Sequence, residues 1–130
     1  MLNHAKEKAL SATYINKLGI KTASGNSAAQ NLSGGNQQKI VLAKWLLTDP
    51  DILIVNEPTH GIDVGAKAEI YKLFNELTEN GKSILLISSE LPELLLLSDR
   101  VAVLYNGQLQ AILTRAEATE EKMAAMASGL

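Results

Sequence analysis

The sequence predicts an α/β fold: a mainly parallel set of strands flanked by helices, closed at its C-terminal end by a β-hairpin and a helix. Three observations carry this. Ile52-Leu53-Ile54-Val55 and Ile84 to Ile87 are short apolar runs between turn formers, the pattern of strands covered on both faces, as in parallel sheets. Between them Ile70, Leu73, Phe74 and Leu77 fall at i, i+3, i+4 and i+7, one face of a helix. Near the end, Asn106-Gly107 joins two further apolar runs, and Asn-Gly accepts the positive φ angles of a type I′ turn.

Taken in order, Leu10, Tyr14 and Leu18 recur at helical spacing from Ala5 to Leu18, with Gly19 placed as a C-terminal cap. Ile20 to Leu32 is rich in Ser, Asn, Ala and Gly without a sustained period and reads as a surface connection. A second helix starts at Ser33 and runs to about Thr48, where Asp49-Pro50 ends it. Its polar stripe is narrow, through Gln37, Lys44 and Thr48, so the helix is expected to be mostly buried. Asp63 caps the helix between the two buried strands, and Asn80-Gly81 ends it. A short helix follows Ser88-Ser89-Glu90 and runs through Leu97, with Pro92 tolerated in its first turn. The hairpin pairs Val101 to Tyr105 with Leu109 to Leu113. Glu120 and Glu121 after Thr119 open the last helix, which ends near Ser128.

Composition narrows the function. With 130 residues, 46% of them hydrophobic, the chain is expected to build one compact core and no second. Its 12 basic and 14 acidic residues leave a formal charge of −2, which argues against nucleic-acid binding carried by bulk charge; the scattered lysines read as a solvated face. The absence of cysteine excludes disulfides, thiolate metal sites and cysteine nucleophiles. No apolar run approaches the roughly 20 residues of a membrane span, and the first residues show no secretory signal, so a soluble protein of a reducing compartment is expected.

Two stretches carry chemistry. In Leu32 to Lys39, LSGGNQQK, a serine and two glycines stand at the mouth of a helix, where the backbone can approach an anion and the positive helix end faces it. Phosphate is the natural guest. By itself the segment reads first as a helix start that Ser33 caps and the glycines merely turn. In Ile52 to Asp63, ILIVNEPTHGID, Glu57 stands at the carboxyl end of a strand, where α/β sheets bind ligands. There it could take a proton from a water attacking a phosphate, although alone it is equally a polar residue at a strand end.

Together and in this order the stretches are specific. LSGGNQQK, then a strand ending in Asn56-Glu57, then Pro58-Thr59 and Gly61-Ile62-Asp63, resembles the nucleotide-binding cassette of ABC transporters. GNQQK, HGIDVGAK (His60 to Lys67) and SSELPELL (Ser88 to Leu95) are similar to the second cassette of the tandem ATPases that drive monosaccharide import, the ribose, galactose and xylose group. The resemblance covers essentially the whole chain. It implies a partial P-loop NTPase core, with residues 1–48 forming the end of the helical subdomain and the signature helix, and 49–130 the Walker B to C-terminal part.

The resemblance also implies roles. Ser33, Gly34 and Gly35 would form the signature that grips the γ-phosphate of ATP lying on the opposite cassette, with Gln37 a weaker candidate on the same surface. Asn56 and Glu57 take the Walker B positions, Glu57 as general base, and Gly61, Ile62 and Asp63 form the D-loop. Ser89 stands at the switch position, where many cassettes carry histidine; neither His4 nor His60 matches it. The cofactors implied are ATP and Mg²⁺. The partners implied are a second cassette, a membrane permease and, indirectly, an extracytoplasmic sugar-binding protein, with the chain on the cytoplasmic face of the membrane.

Two departures stand out. Asn56 replaces the family's aspartate, which keeps the shape and removes the charge that helps organise hydrated Mg²⁺, so weaker metal support and slower hydrolysis are expected. The Gly-rich loop GxxxxGK followed by Ser or Thr does not occur: Gly81-Lys82-Ser83 has Glu76 in place of the first glycine and leads into a strand instead of opening a helix. The resemblance is therefore to the C-terminal half of one cassette, and it implies a sheet short of strands, with exposed edges and a bared apolar face. A noncatalytic remnant or interaction module, which binds a partner cassette without turnover, is the alternative reading.

Overall fold

The computed structural model describes residues 3–130. The elements are α1 (His4–Lys17), a 3-10 turn (Ala29–Asn31), α2 (Gly34–Leu46), β1 (Ile52–Asn56), α3 (Val64–Glu79), β2 (Ser83–Ile87), α4 (Leu91–Leu97), β3 (Arg100–Tyr105), β4 (Gln108–Thr114) and α5 (Glu120–Ala127). The α/β class and the order of elements are those the sequence predicts. Where a single core is expected, the described residues form two compact units: one runs up to Leu53 and resumes over Pro58–Ile84, and the other combines Ile54–Glu57 with Leu85–Leu130. The physical reason is local. Helices pack on helices in the first and a hairpin packs on helices in the second, and each arrangement buries its own apolar set.

In the first unit, α1 begins where the Asn3 side chain accepts from the Lys6 N–H and ends in a Schellman arrangement. There Gly19, at φ +57, donates to the Asn16 carbonyl and Ile20 to that of Ile15. Leu10, read from the sequence as core-facing, is exposed; α1 is held instead through the Tyr14 hydroxyl, which donates to the Leu46 carbonyl at 3.0 Å, and the buried Leu18 and Ile20 beyond its end. In α2 the buried residues are Gly35, Lys39, Leu42, Ala43 and Leu46, whereas Val41, Trp45 and Leu47 are 48%, 61% and 47% exposed. The expectation of a mostly buried helix is corrected here: one stripe is covered, and Val41, Trp45 and Leu47 stay largely exposed to solvent. In α3, Ile70, Leu73 and Phe74 are buried as the spacing predicts.

The buried polar residue of α2 is Lys39, only 4% exposed. Its ammonium donates to the Gly19 carbonyl at 3.1 Å and to Glu69 Oε2 at 2.5 Å, so one side chain pins α2 to the end of α1 and to α3. That hydrogen bond holds the Glu69 carboxyl below its ordinary value of 4.5. Removing the carboxylate leaves a buried ammonium with a single carbonyl partner. Glu69→Ala is therefore expected to lower stability by about 2 kcal/mol, less than a fully buried pair because Glu69 is half exposed. Lys39→Met, which fills the site with apolar atoms, is expected to cost less. Because the folded-state value is depressed, the contribution of Glu69 is present above pH 4.5 and is lost as pH falls through the lower folded value. Denaturant melts of the parent and Glu69→Ala from pH 6 to pH 3 check this: the gap should close in acid.

β1 and β2 are neighbours in a two-stranded sheet. Ser83 donates to the Asp51 carbonyl at one end and Glu57 to the Ile87 carbonyl at the other, so the strands advance together as a parallel pair. Burial along β1 alternates: Leu53 and Val55 are covered, while Ile52 and Ile54 are each 64% exposed. Leu85 and Ile87 of β2 are exposed as well. The reading of both strands as covered on two faces is thus corrected to cover on one, and the bare apolar face implied by the family resemblance is present. An all-apolar run carries no period from which the uncovered face could be read.

In the second unit β3 and β4 pair antiparallel, with Tyr105 opposite Gln108 and a register shift at Val103/Leu104. Asn106 and Gly107 both have positive φ, +48 and +75, as a type I′ turn requires. Val101, Val103, Leu113, Ala118 and Met123 form the core of this unit, with Leu91, Leu94 and Leu95 of α4 packed against it.

Candidate functional site

In the first unit the LSGGNQQK segment opens α2. Ser33 occupies the N-cap position with extended backbone, and the first helical bond runs from the Gln37 N–H to the Ser33 carbonyl at 2.9 Å. The amides of Gly34, Gly35 and Asn36 therefore precede the helix ladder. The Ser33 side chain does not cap the helix. Its Oγ accepts from Asn36 Nδ2 at 2.8 Å, and Asn36 Oδ1 in turn accepts from the Lys21 backbone N–H at 2.8 Å. Gln37 turns back, its amide donating to the Leu32 carbonyl at 2.9 Å.

The two glycines differ. A Cβ on Gly35 would stand 2.5 Å from the Ala66 Cβ on α3, so glycine there is what lets the two helices meet. A Cβ on Gly34 would stand at ordinary contact distance, 3.5 Å from Ile62 Cγ2 and 3.7 Å from the Gly61 carbonyl. The fold does not require glycine at position 34. The same contacts show that Gly34 and the Gly61-Ile62-Asp63 turn lie side by side. Asp63 Oδ1 accepts from the Ala66 N–H at 3.0 Å and so caps α3, as its position in the sequence predicts.

In the second unit Asn56 ends β1, exposed, and Glu57 follows at φ +47, the left-handed region that a residue with a Cβ rarely adopts. Two bonds hold it there. Its N–H donates to the Ile87 carbonyl at 2.8 Å, and its Oε1 accepts from the Ser89 backbone N–H at 2.8 Å. The structure thus joins Glu57 to the Ser89 position through the main chain. Among the described residues no group of three or more His, Asp or Glu could hold a metal ion, and none of the helices is long and apolar enough to cross a membrane. His4 bonds Glu7 on the surface and His60 is exposed. Gly81-Lys82-Ser83 joins the end of α3 to β2, with the Lys82 ammonium 2.8 Å from Asp49 Oδ1.

Sequence reasoning passed over Asn36, Lys39 and Glu69. Asn36 had a readable signal, since Ser-x-x-Asn is the spacing at which a third helical residue reaches back to its cap. Lys39 and Glu69 had none, because 30 residues separate the partners.

The fold is that of the ATP-binding cassettes, as comparison with known proteins shows. Residues 3–60 match the model of the ABC transporter family. Over most of its length it is similar to ribose import ATP-binding proteins named RbsA. It is 52% identical to that of Clostridium tetani over 94% of this chain and 24% of that protein, and 49% identical to that of Bacillus subtilis over 99% and 26%. The chain thus spans about a quarter of the length of the curated relatives it matches. Among solved structures, the ADP conformation of the ATP-binding cassette MJ1267 superposes with a TM-score of 0.73 at 26% identity, covering 98% of this chain and 48% of that one. The dimeric post-hydrolysis state of the cassette MJ0796 gives 0.77 at 20% identity, covering 88% and 50%.

Proposed function

We propose that this chain supplies the signature, Walker B and D-loop segments of an ATP-hydrolysing cassette that drives monosaccharide import. The observation that carries the reading is Ser33: it occupies the cap position, yet its hydroxyl makes no capping bond and is held at an exposed helix mouth beside a glycine that the fold does not need. A phosphate brought against Ser33 and Gly34 would meet the hydroxyl, the helix-start amides and the positive end of α2. The likeness to ribose import ATP-binding proteins favours a monosaccharide as the cargo.

In this reading Glu57 takes the proton of the water that attacks the γ-phosphate, and the Ser89 N–H holds the carboxylate by one oxygen. Gly61, Ile62 and Asp63 form the D-loop against the opposite cassette, Gln37 braces the start of the signature at the Leu32 carbonyl, and Ser89 stands at the switch position. Asn56 offers an amide oxygen in place of a carboxylate. That fits a contact to a water of hydrated Mg²⁺. When bound with ATP, Mg²⁺ neutralises charge on the phosphates. The phosphate-binding loop, a second cassette, the membrane permease and the extracytoplasmic sugar-binding protein are contributed by other segments or partners, and the chain works at the cytoplasmic face of the membrane.

Equilibrium dialysis with radiolabelled ATP tests the proposal. Firm retention is expected only once a cassette carrying an intact phosphate loop is added; equally tight binding by this chain alone contradicts it. The alternative, a module that binds a partner cassette without turnover, is favoured by Asn56 together with the missing GxxxxGK loop in this sequence. Under that reading Asn56→Asp in the assembled pair releases no phosphate.

A further inference from the structure

We infer that Asn36 is a positioning residue whose side chain turns the Ser33 hydroxyl proton outward, toward the anion bound at the mouth of α2. The inference rests on the signature reading above and adds a role for Asn36, to which that reading assigns none.

The argument follows from donors and acceptors. A carboxamide has a donor end and an acceptor end, and the Lys21 backbone N–H can only donate. Its 2.8 Å bond therefore selects Oδ1 as the atom facing Lys21, which fixes Nδ2 as the atom facing Ser33. A serine hydroxyl has one proton and two lone pairs. With one lone pair taken by the Asn36 amide at 2.8 Å, the proton has no acceptor on that side. The hydroxyl makes no bond to the helix-start amides either, so it is not engaged in capping. It presents its proton away from Asn36, the polarity that an anion needs. A freely turning hydroxyl would have to be ordered on binding; here the order is built in before the ligand arrives. Since Asn36 sits three residues after Ser33 on α2, the helix turn itself brings the two side chains together.

The test is a double-mutant cycle on the assembled cassette pair, reading the dissociation constant of radiolabelled ATP by equilibrium dialysis and the melting temperature of each variant. Asn36→Ala is expected to weaken ATP binding roughly five- to tenfold in the parent and less than about twofold in the Ser33→Ala background, because its effect passes through the hydroxyl. Equal weakening in both backgrounds, or none in the parent, overturns the inference. Asn36→Asp guards against a folding defect: it still accepts from Lys21, so its melting temperature should stay near the parent's. It can no longer donate to Ser33, so its ATP affinity should fall at least as far as that of Asn36→Ala. An unchanged affinity in Asn36→Asp also overturns the inference. A Ser33→Ala pair that binds ATP as the parent does would remove the signature reading itself, a result distinct from additive behaviour of Asn36.

Discussion

Glu57→Gln, in an assembled transporter whose partner cassette supplies the phosphate loop, is expected to slow ATP hydrolysis by roughly 10²- to 10⁴-fold with no matching loss of ATP affinity. The substitution isolates basicity. A glutamine Oε1 still accepts from the Ser89 N–H, and the main-chain bond to Ile87 is untouched, so the geometry at the end of β1 is kept while the proton acceptor is lost. The backbone adds a second argument. At φ +47 a residue with a Cβ costs about 1 to 2 kcal/mol relative to an ordinary conformation, and glycine would relieve it. Glu57→Gly is accordingly expected to leave stability unchanged or raised by about 1 kcal/mol while hydrolysis is lost, which would mark the position as one where function overrides local preference. Rates of phosphate release from the two variants decide the matter; parent-like turnover in Glu57→Gln would favour the noncatalytic reading.

The second large effect concerns stability. Gly35→Ala is expected to destabilise the fold by about 1 to 3 kcal/mol, because the new methyl would lie 2.5 Å from the Ala66 Cβ, and two helix backbones must separate to accept it. Gly34→Ala is expected to fall within about 0.5 kcal/mol of the parent or slightly above it, since its methyl meets only ordinary contacts and alanine favours the helix. ATP-dependent activity should separate the pair in the opposite sense: Gly34→Ala keeps the fold and loses activity if a phosphate approaches there. Denaturant midpoints set beside ATP affinity for both variants check this, and equal destabilisation by the two would show that neither glycine is reserved for a ligand.

Much of this was legible in the order of residues. The helix ends at Gly19 and Gly81, the Asp63 cap, the Asn106-Gly107 turn and the α/β class follow from short-range rules, because capping and turn chemistry involve neighbours within four residues. The motifs at Ser33 to Lys39 and Asn56 to Asp63 were equally visible, since each is a contiguous string.

Contacts between distant segments were not. That Ile52 and Ile54 lie bare while Leu53 and Val55 are covered depends on what packs against one face of a sheet, and a uniform apolar run cannot express it. The division of labour between Gly34 and Gly35 depends on where α3 passes, and the attachment of Glu57 to Ser89 and of Lys39 to Glu69 on partners some 30 residues away. Local backbone rules act through bonds that neighbours must make wherever the chain goes. Steric clearance, burial and hydrogen-bond polarity exist only after the chain has returned upon itself.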